Sequence, residues 1–313
     1  MPPYLLEERL VVGITSRALF DLTDADAVFQ ASGLSDYRAY QRSRENDPLA
    51  PGTAFPLVRA LLAINRAAED PLVEVIVISR NDCDSAVRIF NSVKTHGLDI
   101  SRYAFTDGRD PLPYLRPFCC TLFLSADASD VRRALAQGFA AAHVLAPPGR
   151  LEDDIDEVRI AFDGDAVLFD ADSEAFFQQH GVEEFQQREV ELAQEPMAPG
   201  PFEPFLVALR RIQERFPEEQ SPIRTALVTA RNAPAHFRVV NTLRAWHVRI
   251  DECFFLGGIP KAGVLEVLRP HIYFDDQLTH LVGAQPTTAS AHVVPQTIEQ
   301  LIFPPANGVA PKS

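Results

Sequence analysis

The second half of this sequence repeats the first at an offset of 148 residues. Residues 198–209 are identical to residues 50–61 at six of twelve positions, and residues 172–181 are identical to residues 24–33 at five of ten. The tripeptide AHV also occurs near the end of each half. Two unrelated domains of the same class would not keep such matches in the same order. The repeat therefore indicates an internal duplication.

Short apolar runs alternate with longer amphipathic segments in both halves. The apolar runs are residues 10–15, 73–79, 120–125, 141–146, 158–163, 225–229, 271–276 and 291–295. Runs this short and rich in Val, Ile and Leu predict strands buried on both faces, as in a parallel sheet. Residues 55–69 and 204–216 have the apolar spacing of helices, and such alternation is typical of βαβ units. The sequence thus predicts an α/β fold of two tandem duplicated Rossmann-like lobes with parallel sheets.

Two segments rich in proline and acidic residues interrupt this pattern. Residues 147–157 lie near the midpoint of the chain and predict a linker between two domains, residues 1–150 and 151–313. Residues 195–204 form the second such segment, and the tail from Phe303 has the composition of a frayed end.

The composition argues against several classes of partner. The chain has 29 basic and 43 acidic residues, a formal net charge of −14 and a pI near 5.0. Such a chain is poorly suited to nucleic-acid backbones and to anionic membrane surfaces. No apolar run approaches the ~20 residues of a membrane span, and the N-terminus lacks the pattern of a secretory signal. Because the four cysteines show no CxxC spacing, we expect reduced thiols and a cytoplasmic location.

A pair of aspartates stands at the end of one predicted strand. Asp163 ends the run 158–163, and Asp165 follows two residues later. Ligands of open parallel sheets bind at the carboxyl ends of strands. There, one aspartate can attack phosphorus, and the other can protonate the leaving oxygen. Two carboxylates this close need a cation between them, which implies Mg²⁺; the alternative is an acidic surface loop.

Three later features fit the same chemistry. Thr229 ends a predicted strand and can hold a phosphate oxygen, or it can cap the following helix. Lys261 begins a helical stretch and is the only lysine of the second half before Lys312; its alternative is a solvated surface residue. Asp275 and Asp276 follow an apolar run and would be costly to bury unpaired; their alternative is a polar turn.

The order Asp-x-Asp, Thr, Lys, Asp-Asp resembles the four-motif pattern of the haloacid dehalogenase-like (HAD-like) phosphohydrolases. More narrowly, residues 162–174 (FDGDAVLFDADSE), 13–22 (GITSRALFDL) and 77–93 (VISRNDCDSAVRIFNSV) are similar to the cytosolic 5'-nucleotidase type I family. The resemblance implies that both lobes are HAD-like and that the second is catalytic. It also implies that Asp163 forms an aspartyl-phosphate and that Asp165 is the general acid and base.

The same resemblance gives roles to the later motifs. It implies that Thr229 and Lys261 bind the phosphoryl oxygens and that Lys261 offsets the charge of Asp163. The metal ligands that it implies are Asp163, the backbone carbonyl of Asp165, and Asp275 or, as second choice, Asp276. Catalysis is then mainly electrostatic, since metal and lysine stabilise the charge on the transferring phosphoryl group.

Two further residues are candidate substrate contacts. Arg231 and Asn232 follow Thr229 closely, and their counterparts in the first half are Arg80 and Asn81. Because the same pair occurs where the catalytic set is missing, a structural role such as helix capping explains both pairs equally well.

The first half lacks the catalytic set. Thr15, Arg17 and Ser125 stand at the positions of the nucleophile, the general acid and the first of the paired aspartates. We therefore expect a degenerate lobe that serves as scaffold. The alternatives are that Arg17 and Arg80 keep an anion site for a nucleotide effector, or that this lobe completes the substrate pocket.

The leading interpretation is a Mg²⁺-dependent 5'-nucleotidase that converts AMP- or IMP-like nucleoside 5'-monophosphates to nucleoside and phosphate. The nucleotide specificity follows from the resemblance alone. Helical residues 174–193, within the segment 170–224, predict a small helical cap over the site. One alternative is a phosphatase of another small phosphomonoester, and a second is a nucleotide-binding regulatory protein with vestigial activity. The preferred base, the effector and the oligomeric state, a homo-oligomer included, are left open.

Overall fold

The computed structural model describes residues 5–148 and 156–294. Most of the predicted linker and the tail from Phe303 lie outside the described residues, so the domain boundary at residues 150 and 151 stays a prediction. Among the described residues, no helix has both the length and the apolar character needed to cross a membrane.

Ten strands form one sheet among the described residues. The strands are β1 Leu10–Ile14, β2 Val73–Ser79, β3 Arg102–Phe105, β4 Leu122–Ser125, β5 Ala140–Val144, β6 Val158–Phe162, β7 Ile223–Thr229, β8 Glu252–Phe255, β9 Ile272–Asp275 and β10 Ser290–His292. Their order across the sheet is β3-β2-β1-β4-β5-β10-β9-β6-β7-β8. Every neighbouring pair is parallel except β5 with β10. The prediction of an α/β protein with a mostly parallel sheet is confirmed.

Helices connect these strands. The α-helices are α1 Ser16–Leu19, α2 Thr23–Ser43, α3 Phe55–Ile64, α4 Val87–Thr95, α5 Ala128–Ala136, α6 Asp172–Glu191, α7 Glu203–Gln213, α8 His236–Ala245, α9 Ala262–Leu268 and α10 Leu278–Ala284. Short 3₁₀ turns cover Asn65–Ala67, Leu112–Tyr114 and Glu218–Gln220, and a wider turn, closed by a hydrogen bond from Phe169 N–H to the Gly164 carbonyl, covers Gly164–Leu168. The helix predicted as a cap, residues 174–193, corresponds to α6.

The two halves of the sheet have the same strand order. Counted from the outer edge inwards, each half places its third, second, first, fourth and fifth strand in that sequence. The halves meet at β5 and β10, which pair antiparallel with His143 opposite His292. The sequence predicted a parallel sheet in each lobe, whereas the structure joins them into one continuous sheet. Each of these strands would otherwise be an open edge with unpaired N–H and C=O groups, and their pairing removes both edges.

The longest helix of each half, α2 and α6, is kinked at a glycine. Gly33 has φ 79° and ψ −170°, and Gly181 has φ 80° and ψ −177°. This region of backbone conformation is open to glycine and strained for other residues. The glycine thus divides α6 into two parts, and the second part carries Glu189.

A cluster of phenylalanines anchors the strand ends of the second half. Phe162 and Phe274 stack at 5.6 Å between ring centroids, and Phe202 and Phe205 pack against both. All four side chains are completely buried, and burial of each stabilises the fold by about 1.5–3 kcal/mol. Because Phe162 and Phe274 directly precede Asp163 and Asp275, this packing fixes the positions of the two aspartates.

Candidate active site

Three candidate residues lie at the carboxyl ends of adjacent parallel strands. Asp163 follows β6, Thr229 ends β7 and Asp275 ends β9. Since β9, β6 and β7 are neighbours, their carboxyl ends lie side by side at one edge of the sheet. All three side chains are buried, which makes this edge a candidate active site.

Lys261 connects the two buried aspartates. Its Nζ atom lies 2.9 Å from Asp163 Oδ1 and donates a hydrogen bond of 2.7 Å to Asp275 Oδ2. Burial lowers the pKa of Lys261, but the charges of Asp163 and Asp275 outweigh it, so the pKa stays above its ordinary value. The side chain is therefore a buried ammonium ion directly before α9.

The site carries more negative charge than Lys261 neutralises. Burial and the charge of Asp275 raise the pKa of Asp163 to about 7, although Lys261 opposes them. Burial and the charges of Asp163 and Asp275 raise the pKa of Asp276 to about 8. Moreover, Asp276 Oδ1 is buried without a hydrogen-bond partner among the described residues. Such a cluster of carboxylate oxygens has the chemistry of a site for a hard divalent cation.

The two neighbouring aspartates have different surroundings. Asp275 Oδ2 accepts hydrogen bonds from the Tyr273 hydroxyl and from Lys261, and it lies 3.1 Å from His280 Nδ1. Burial raises the pKa of Asp275, but these partners outweigh it and lower the pKa below its ordinary value. Asp163, Asp275 and His280 place three potential ligand atoms within 4.8 Å of one another. However, the Asp275 oxygen in this group already has protein partners, whereas Asp276 Oδ1 has none in the described chain.

Asp165 is held by an arginine. Both Asp165 oxygens accept hydrogen bonds from Arg231, at 2.8 Å from Nε and 2.6 Å from Nη2. Arg231 Nη1 donates to Glu189 Oε2 at 2.5 Å, and Arg238 Nη1 donates to Glu189 Oε1 at 2.9 Å. Arg231 therefore binds a residue of the predicted catalytic set, and its guanidinium is not free to bind a substrate.

The backbone around Asp165 differs from its counterpart in the first half. The turn Gly164–Leu168 is closed by a hydrogen bond from Phe169 N–H to the Gly164 carbonyl, while the equivalent α1, Ser16–Leu19, is an α-helical turn that is one residue shorter. The extra residue is accommodated with Ala166 at a φ of 58°, in the left-handed region. Asp165 itself has φ −68° and ψ 139°, an extended conformation, so this turn is not a regular helix.

The pair Arg231–Asn232 matches Arg80–Asn81 in sequence but not in structure, because Asn81 occupies the place of Arg231 when both are counted from the ends of β2 and β7. Arg80 forms a two-pronged ion pair with the buried Asp130. Asn81 accepts hydrogen bonds from Ser16 and Ser79 and donates one to Tyr37. In contrast, the Asn232 side chain is exposed and forms no hydrogen bond within the part of the chain that the structure describes.

The structure places the candidate anion-binding arginines of the first half in separate ion pairs. Arg17 lines a cavity of about 200 Å³ and lies 2.7 Å from Asp26, whereas Arg80 is bound to Asp130. Each guanidinium thus has its own carboxylate, and no ion pair among the described residues joins them into one site.

Four residues of this site were not predicted from the sequence. They are Glu189, Arg238, Tyr273 and His280. Glu189 lies in a helix rich in acidic residues and Tyr273 lies inside an apolar strand, so neither stands out in the sequence. The repeat contains one signal, because two of these residues differ from their matches in the first half. Gln41, which matches Glu189, is uncharged, and Phe123, which matches Tyr273, lacks a hydroxyl group.

Comparison with known proteins places this site in context. A protein-family model described as 5'-nucleotidase matches residues 2–300. The chain is 38% identical over 287 residues to cytosolic 5'-nucleotidase 1B of Homo sapiens, a match that covers 88% of this chain and 47% of the relative. This chain thus spans about half the length of that relative. No solved structure gives a significant match.

Proposed function

The chain belongs to the 5'-nucleotidase family, and on this premise we propose that it hydrolyses AMP- or IMP-like nucleoside 5'-monophosphates to nucleoside and phosphate. The observation that carries the proposal is the buried ammonium of Lys261 between Asp163 and Asp275. A carboxylate nucleophile beside a fixed positive charge suits phosphoryl transfer, in which stabilisation of charge dominates catalysis. We further propose that the protein acts in the cytoplasm.

We propose that Asp163, Asp276 and the backbone carbonyl of Asp165 hold a Mg²⁺ ion. The raised pKa values of Asp163 and Asp276 and the unpartnered Asp276 oxygen support this ligand set. We prefer Asp276 to Asp275, which the sequence had favoured, because Asp275 is engaged by Lys261, Tyr273 and a backbone N–H. A bound Mg²⁺ would supply charge stabilisation to the phosphoryl oxygens.

In the first step, Asp163 attacks the phosphorus atom. The bond from phosphorus to the 5'-oxygen breaks, and the leaving oxygen takes a proton from Asp165, so that nucleoside departs and an aspartyl-phosphate remains on Asp163. Lys261 and the Thr229 hydroxyl bind the phosphoryl oxygens during this transfer. Thr229 is suitably placed, because its Oγ1 would lie only 3.4 Å from a Cβ atom at Gly164, the residue after Asp163.

In the second step, water attacks the aspartyl-phosphate. Asp165, now a carboxylate, accepts a proton from this water, and the bond between phosphorus and the Asp163 oxygen breaks. Phosphate leaves and both aspartates return to their starting forms. Arg231 binds both Asp165 oxygens, but each oxygen keeps a second lone pair for the transferred proton.

We propose that Asn232 contacts the substrate. It is exposed next to the site and has no hydrogen-bond partner in the described chain. Asp82, at the equivalent place after β2, accepts hydrogen bonds from Arg38 and from the Ser85 backbone N–H, so the structural role of Asp82 does not explain Asn232.

We propose that residues 1–150 are a duplicated, non-catalytic scaffold for the catalytic residues 151–313. The repeated strand order and the matching kinks at Gly33 and Gly181 support the duplication. The engagement of Arg17 and Arg80 by carboxylates favours a scaffold over an effector site.

Substitution of the nucleophile tests the proposed mechanism. We expect Asp163→Asn to lower hydrolysis of AMP and IMP by at least about 10³-fold in the presence of Mg²⁺, because the amide of asparagine cannot form the covalent intermediate. Released phosphate is measured at saturating substrate. Asp24→Asn, at an exposed aspartate of α2, is the matched control and should keep full activity. Undiminished hydrolysis by Asp163→Asn would show that the assigned mechanism is wrong.

A further inference from the structure

Four charged side chains of alternating sign run from the candidate site into the protein interior. They are Asp165, Arg231, Glu189 and Arg238, joined by the hydrogen bonds described above. Glu189 is completely inaccessible to solvent, and Ser173 Oγ lies a further 3.3 Å from its Oε1. A buried carboxylate is costly unless it is fully paired, and here two guanidinium groups pair it.

The geometry of Arg231 lets Glu189 act on Asp165. A guanidinium is a rigid plane with fixed donor directions. Glu189 occupies the Nη1 donor, while Nε and Nη2 face Asp165. Fixing one edge of the plane therefore fixes the direction of the other. Arg238 in turn holds Glu189, and its Nε is itself anchored on the Glu195 carbonyl at 3.0 Å.

The first half, which lacks the predicted catalytic residues, provides a comparison for the contacts of Glu189. Gln41 occupies the position of Glu189 and accepts a hydrogen bond of 3.1 Å from Arg88, the counterpart of Arg238. The helix packing is thus satisfied by an uncharged side chain. Asn81 stands two residues after the last residue of β2, as Arg231 does after β7, so the place of Arg231 is also held by an uncharged side chain. The negative charge of Glu189 is thus present in the half of the chain where an arginine binds Asp165.

We propose that Glu189 is a positioning residue that holds Arg231 and, through it, the Asp165 carboxyl group in the orientation for proton transfer to the leaving oxygen. This inference rests on the proposed function of the site and extends it to a residue that does not itself touch the substrate. Its role is distinct from packing, since Gln41 shows that a neutral amide satisfies the same packing position.

The variant Glu189→Gln tests this role with two substrates. One is a nucleoside 5'-monophosphate, and the other is its analogue with sulfur in place of the bridging 5'-oxygen. An alkoxide needs a proton to leave, whereas a thiol ionises with a pKa of about 8.5 and leaves without one. We expect kcat/KM of the variant to fall at least about tenfold for the oxygen ester and less than about twofold for the sulfur ester.

Gln41→Ala in the first half is the matched control, because it removes the equivalent buried contact without touching the site. It should lower the thermal unfolding temperature and leave the ratio of the two kcat/KM values unchanged. An equal loss on both esters by Glu189→Gln would overturn the positioning role. If Glu189→Gln does not fold, Arg231→Lys decides, since it keeps the charge but loses the two-pronged contact and should show the same selective loss.

Failure of the proposed function gives a different result. If the wild-type protein hydrolyses neither ester, or if Asp163→Asn keeps full activity, the catalytic assignment itself is wrong. If the wild type is active and Asp163→Asn is inactive, but Glu189→Gln behaves like the wild type, only the role of Glu189 is refuted.

Discussion

At the residue scale, the buried hydroxyl of Tyr273 is a contact that the second half has and the first half lacks. Tyr273 donates to Asp275 Oδ2, the same oxygen that binds Lys261. Phe123 occupies the matching position in the first half, where Ser125 replaces Asp275. The hydroxyl thus accompanies the aspartate and lysine, and we infer that it helps to hold the Lys261 ammonium towards Asp163.

We expect Tyr273→Phe to lower kcat about fivefold, the effect of losing one hydrogen bond of about 1 kcal/mol. The ring remains and fills the same space, so the thermal unfolding temperature should change little. Steady-state hydrolysis of AMP with Mg²⁺ provides the measurement. Tyr103→Phe is the control, because the Tyr103 hydroxyl donates to the nearby Ile100 carbonyl on the outermost strand of the first half, and its loss should leave kcat unchanged. An unaltered kcat in Tyr273→Phe would contradict the inferred role.

The acidic residues of the site could be predicted from the sequence, whereas their partners could not. Asp163 and Asp275 each end a run of apolar residues, so a charge at a strand end is visible in the sequence. Glu189 and Arg231 meet only because α6 folds back over the loop after β7. A contact between residues 42 positions apart leaves no local pattern.

At the scale of secondary-structure elements, the kinked helix α6 determines where Glu189 lies. Its counterpart α2 has the same kink at Gly33, which makes the two glycines a matched pair for experiment. A Cβ atom at either glycine would have no neighbour within 4 Å, so the cost of a substitution comes from the backbone conformation alone.

We expect Gly33→Ala and Gly181→Ala each to lower the free energy of unfolding by about 1–3 kcal/mol, the cost of this conformation for a residue with a side chain. Chemical denaturation measures this effect. Only Gly181→Ala should also lower kcat, because α6 carries Glu189 and α2 carries Gln41. Equal activity of the two variants would show that the kink of α6 does not position the site.

Central elements could be predicted from the sequence more readily than edge elements. Eight of the ten strands coincide with the predicted apolar runs, since each is covered on both faces. The outermost strands, β3 and β8, were missed. Their side chains are mostly half-buried, and segments such as Arg102–Phe105 lack a run of Val, Ile and Leu.

At the scale of the whole molecule, the unbalanced charge of the site couples folding to pH and metal. The pKa values of Asp163 and Asp276 are raised to about 7 and about 8, above the ~3.9 of an unfolded chain. Below about pH 4 both states are protonated, so these groups have no effect there. As pH rises towards 8, the unfolded state loses its protons first, and the metal-free fold loses stability.

We therefore expect Mg²⁺ to raise the unfolding temperature more at pH 8 than at pH 5, because the ion binds the ionised carboxylates. Unfolding is followed in chelator and in excess Mg²⁺ across this pH range. Asp276→Asn should reduce both the pH dependence and the Mg²⁺ effect. A Mg²⁺ effect that is the same at every pH would contradict this account.

The antiparallel ladder between β5 and β10 has a mechanical consequence. A hinge opening between the two halves would break the hydrogen bonds between these strands, so the continuous sheet opposes such a motion. The proposed hydrolysis would therefore need local movement, of α6 and the loops at the carboxyl edge, to admit substrate and release nucleoside. The rate of turnover would then depend on how readily α6 moves away from the site.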